Sequence, residues 1–187
     1  MVRYVVRRVD PVLMPVVTAP AAPSGTRNVT LKTSGQSAGD FATLRNLTLS
    51  GDAGQVTVPP GTYGDFIAKE GTGFILGDPD ATVPVVYELQ SLTLSGGATL
   101  HVVGPVWLKL RQTLSVDGTA GSATHPRWLL VHVSDGGTTL KLGATLHGEI
   151  VAPNGTVTIG DTATLNGNVS ADALTITLNG LLHETAP

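Results

Sequence analysis

Apolar and polar residues alternate along most of this chain, but only in runs of four to six. The tetrads at 28–31 (NVTL), 46–49 (NLTL), 91–94 (SLTL), 113–116 (TLSV), 139–142 (TLKL) and 156–159 (TVTI) share one order, polar–apolar–polar–apolar. Successive side chains of a strand point to opposite faces, so each tetrad predicts a short strand with one apolar face. Clusters of Gly, Asn, Asp and Pro separate them: SGDAG, PPGTYG, LGDPD, SGGA, SDGG and APNG. Such clusters end strands and turn the chain. No segment holds a period of 3.6 residues, so no helix is predicted.

The alternation repeats at longer range. The segment ATLHGEIVAPN at 144–154 overlays ATLNGNVSADA at 163–173 with an offset of 19. Ala144 meets Ala163, Leu146 meets Leu165, Gly148 meets Gly167 and Ile150 meets Val169. The same offset sets TVTI at 156 on TITL at 175. Upstream tetrads are spaced less evenly. The 45-residue gap from 46 to 91 has room for one more coil around DFIAKEGTGFIL, and the gap from 113 to 139 holds an insertion, DGTAGSATHPRW. Short strands, frequent turns and apolar-on-apolar repeats at about 19 residues predict an all-β, right-handed parallel β-helix of about seven to eight coils, not a sandwich. The inward set is Val157, Ile159, Leu165 and Val169, then Ile176 and Leu178. The outward set is Thr156, Thr158, Asn166 and Asn168, then Thr175 and Thr177. The repeat itself covers neither end of such a stack, and a bare end invites another chain.

Composition agrees with strands and turns. Of the 187 residues, 13% are charged, about half the usual share. Small neutral side chains supply the missing surface polarity. The formal charge of −3 argues against nucleic acid as a partner, and the absence of cysteine excludes disulfides, thiol chemistry and a zinc ribbon. The longest apolar stretch, VDPVLMPVVTAP, is broken by Asp10, Pro11 and Pro15 and is too short to span a membrane. The first ten residues do not read as a signal peptide.

VPPGTYGDF, SLTLSGGATLHVVGPVWLKL, TLSVDG, HGEIVAPNGTVTIG and NGLLHE follow one another in that order. Over about residues 46–184 this series resembles the β-helical domain of unknown function found in bacterial surface and pilus-associated proteins, the PilX-like and adhesin-like chains. The last two coils also resemble bactofilins, the polymer-forming β-helices of bacteria, although these are more regular and lack the Pro-Pro-Gly-x-Tyr start. The resemblance implies a solenoid used in surface structure, adhesion or polymers. It carries over no catalytic residue.

Residues 1–25 depart from that pattern and divide the chain into an extended arm (1–25) and a solenoid (26–187). Val2, Tyr4, Val5, Val6 and Val9 are strand-like, and Val12, Leu13, Val16 and Val17 continue the apolar series through a Pro/Ala run. Prolines confine such a segment to extended or edge positions. It reads either as a cap over one end of the stack or as an arm added to a neighbouring subunit.

Chemistry is sparse. His101, His132 and His147 sit in strands and should point outward into solvent. The acids Asp65, Glu70, Asp78, Asp80 and Glu88 show no spacing that marks a paired active site, and GDPDA at 77–81 reads as a proline turn more readily than a calcium loop. Stacked Thr and Ser, Ser91/Thr93 over Thr113/Ser115, would form an outward hydroxyl array of the kind found on ice-binding solenoids; Asn28 and Asn46 begin it and Lys141 interrupts it. Trp107 and Trp128 are candidate stacking platforms for a sugar, or else packing residues.

These readings predict a non-enzymatic structural protein without a cofactor or metal. It would be a self-assembling subunit of an extracellular filament or cell-surface assembly, with copies of itself as partners. A cell-surface adhesive or carbohydrate-binding module and a virion component are the alternatives.

Overall fold

The computed structural model describes residues 14–185. Fifteen strands, all in parallel pairs, stack into a β-solenoid of about eight turns. At about 4.8 Å per rung the stack is roughly 38 Å long. Helix is limited to two 3-10 turns, Phe41–Thr43 and Pro126–Trp128. The chain winds around three faces. The two longest strands, Val85–Val102 and Val106–Gly121, each cross all three, and their mutual register slips at the corners.

On the first face the inward column runs Val29, Leu47, Phe66, Leu92, Leu114, Thr138, Val157 and Leu174, one residue from each turn. Beside it runs an outward column: Thr30, Thr48, Ile67, Thr93, Ser115, Thr139, Thr158 and Thr175. The expected pairs Ser91/Thr113 and Thr93/Ser115 are present. What interrupts this column is Ile67; Lys141 lies beyond the last paired residue of its strand, Thr138–Leu140. The turn expected around DFIAKEGTGFIL is also present, because Asp65–Lys69 pairs with both the 46–49 and the 91–95 segments. The insertion is shorter than expected: the residues up to Gly121 still belong to a strand, and only 122–128 leave the coil.

The third face has an inward column of Val56, Phe74, Leu100, Ala120, Leu146, Leu165 and Leu182. The second carries Tyr87, Leu108, Val131, Ile150 and Val169. Together these columns form one continuous core. Aromatic rings fill its N-terminal half: Phe41 meets Tyr63 edge-on at 6.2 Å, Tyr63 meets Phe66 at 5.1 Å, and Phe66 meets Phe74 at 5.3 Å. The buried Tyr87 hydroxyl donates to the carbonyl of Val58 and accepts from the N–H of Gly77, so its polar end is satisfied.

The last turn corrects two sequence expectations. Ile150 pairs with Val169 and Ala152 with Ala171, at the expected offset of 19, but Thr156 then pairs with Ala173, Val157 with Leu174 and Ile159 with Ile176. The offset has fallen to 17. The cause is a shorter corner: Pro153, Asn154 and Gly155 turn the chain in one coil, whereas Asp172 alone does so in the next. Ile176 keeps its inward place above Ile159. Leu178 is not inward; it is 78% exposed. Leu142 is likewise outside the core, on the turn after Leu140.

Candidate assembly interface: a lengthwise arm and an open coil

Of the arm, Val2, Tyr4, Val5, Val6, Val9, Val12 and Leu13 lie outside the described residues. Val16 and Val17 are described. Residues 14–25 lie along the outside of their own solenoid, crossing its rungs. Gly25 is packed where an added Cβ would strike the carbonyl of Leu44, and Thr26 donates to the carbonyl of Thr43. Further along, the Gln90 side chain donates to the carbonyl of Ala21 at 3.3 Å. Val16 and Thr18 line a hollow with Trp107, Lys109 and His132, and Met14 to Val17 line another with Pro153 and Asn154. The arm thus passes from the second turn to the next-to-last. Prolines suit this course, because the segment does not pair as a strand and needs few N–H donors.

Beneath the arm is a small polar cluster. Lys109 Nζ lies 3.3 Å from Glu88 Oε1, and Thr62 donates to the other carboxylate oxygen of Glu88. The same ammonium sits 4.6 Å above the Trp107 ring, which meets His132 edge-on at 5.1 Å. Burial, reinforced by the Lys109 charge, lowers the His132 pKa, and burial lowers that of His147. His132 is half-buried here and not the freely solvated side chain expected from its strand position; His101 is exposed.

The tryptophans are placed differently from each other. Trp107 faces outward in the second face, and Lys109 occupies one side of its ring. Trp128 ends the 122–128 insertion, packs on the core and stacks flat against His125 at 3.9 Å. The acids are not gathered in one groove. Asp65 accepts from Ser91 on the first face, Glu88 is paired on the second, and Asp78 accepts from the N–H of Asp80 within its turn. Among the described residues no three His, Asp or Glu side chains could jointly hold a metal ion, and no helix is long and apolar enough to cross a membrane.

The two ends of the stack differ. At the N-terminal end residues 32–43 run between the first two strands of the first face, with Ala38 buried and Phe41 packed on the core. At the other end nothing described follows the last rung. Val169–Ile176 and Leu181–His183 have a strand partner on one side only. Leu174 is 44% exposed, Ile176 45% and Leu181 49%, although Val157 and Ile159 one rung below are fully buried. Half of the large apolar residues that stand exposed among the described residues lie in this one coil. The signal for an open end is present in the sequence as the absence of any segment to cover it; the shortened corner at Asp172 is not visible there.

Fold and surface together define a parallel β-solenoid with one covered end, one open end and a lengthwise arm. Comparison with protein-family models, curated proteins and solved structures finds no match for this chain.

Proposed function

We propose that this protein is a non-enzymatic structural subunit that assembles with copies of itself, through the coil ends and the N-terminal arm, into a filament or surface assembly. The observation that carries this reading is the open last coil, whose inward side chains and free strand edge lie at one end of the stack. An apolar surface rimmed by unpaired backbone donors and acceptors is a template for a further strand. The ordered motifs shared with bacterial surface, pilus-associated and polymer-forming solenoids support the same reading. The tryptophans favour carbohydrate binding less, because Lys109 covers one side of the Trp107 ring and His125 one side of the Trp128 ring.

The test is sedimentation of the chain over a wide range of concentration, beside the variant Ile176→Glu. Mass is expected to rise with concentration in the parent and to stay closer to that of one chain in the variant. A parent that remains a single chain at every concentration, after prolonged incubation, overturns the reading.

A further inference from the structure

The described chain begins at Met14, and Met14 lies against Pro153 and Asn154, on the corner one rung below the open coil. Thirteen residues precede it. Extended, they reach about 43 Å, more than the roughly 27 Å of the eight-residue edge Val169–Ile176. The corner above Met14 is also cut back, since Asp172 stands where the coil below has Pro153, Asn154 and Gly155.

Charge matches as well as length. From Gly148 to the end the chain has four acids, Glu149, Asp161, Asp172 and Glu184, and neither Lys nor Arg. The segment 1–13 carries Arg3, Arg7 and Arg8 against one acid, Asp10. Its apolar residues are strand formers, with Val2, Tyr4 and Val6 on alternate positions.

From this geometry we infer that residues 1–13 are the occupant of the open coil, and that in the free subunit they close their own chain's end as an added strand. This inference concerns the regulation of the surface proposed above for assembly and rests on that reading for its consequence. A tethered segment binds at a high effective concentration, so the end is closed until the segment is exchanged for that of a neighbour. Exchange of an identical element between copies is a low-cost route to assembly, because every strand pairing broken within a chain is remade between chains.

The absence of cysteine makes the test direct. Val5→Cys and Asp172→Cys are combined in the full chain and treated with a short bismaleimide at a dilution where sedimentation shows single chains. The expected product is an intramolecular cross-link, mapped by mass spectrometry. Amide exchange of residues 169–176 is then compared, at the same dilution, among the full chain, a chain beginning at Met14, and a full chain with Arg3, Arg7 and Arg8 changed to Glu. Exchange at least tenfold faster in the shortened chain and in the triple variant is expected; the triple variant answers the question alone if the shortened chain does not fold. Cross-links only between chains, or exchange unchanged in both variants, overturns the inference. If the parent never self-associates but the intramolecular cross-link forms, the assembly reading fails and the closure of the coil stands.

Discussion

Thr138 lies in register with Val157 in the inward column of the first face, and neither side chain is exposed. The hydroxyl of Thr138 has no hydrogen-bond partner, in a column that is otherwise Val, Leu and Phe. A buried hydroxyl without a partner costs about 1–3 kcal/mol. Thr138→Val keeps the shape and removes that cost, so the variant is expected to be more stable by about 1 kcal/mol. Chemical denaturation monitored by circular dichroism measures it, and an unchanged or lower midpoint would contradict it.

Leu140 and Leu142 make a second, sharper comparison. Their tetrad predicts both on the inward face, but Leu140 is fully buried and Leu142 is 69% exposed. Leu140→Ala is expected to cost about 2–5 kcal/mol, the usual range for a large core side chain removed from a packed site. Leu142→Ala should change stability by no more than about 0.5 kcal/mol. Comparable losses at the two positions would mean that the turn after Leu140 is wrongly placed.

Acid should weaken the fold through its histidines. The pKa values of His132 and His147 are lowered from 6.5 in the folded chain, so the unfolded state takes up protons first as pH falls. The stability tied to these two groups is complete above pH 6.5 and is lost as pH falls through their folded values. Denaturation midpoints are expected to drop below pH 6.5, and His132→Gln should reduce that drop. At the alkaline side the sign reverses: burial holds the Tyr63 pKa up to about 12, so stability is complete below pH 10 and is lost between 10 and 12. Tyrosinate absorbance followed against pH should show Tyr63 ionising together with unfolding.

Much of this architecture is legible because a solenoid repeats its reasons. Ala144 over Ala163 and Leu146 over Leu165 announce a rung length, and the alternation of Ser91 and Thr93 with leucines announces which side faces in. The last rung departs from expectation for a physical cause. Offsets of 17 and 19 differ by two residues, and a two-residue slip leaves every side chain on the same face. Alternation cannot tell the two registers apart; only the length of the corner at Asp172 does. Leu142 and Leu178 fall outside the core for a related reason, since a strand pattern does not reveal where the strand stops. The course of the arm has no periodic signal at all. Its path depends on contacts such as Gln90 to Ala21, made between segments far apart in the chain.

The lengthwise course of residues 14–25 has a mechanical consequence. A stack of rungs is strong against a load shared by all of them and weak against peeling, in which one rung at a time is lifted from the end. A strap laid across the rungs from the second turn to the next-to-last resists that mode, as a binding holds the pages of a book. Pulled from its C-terminal side, this protein should shed its last coil at low force and then stall where Met14 begins the strap.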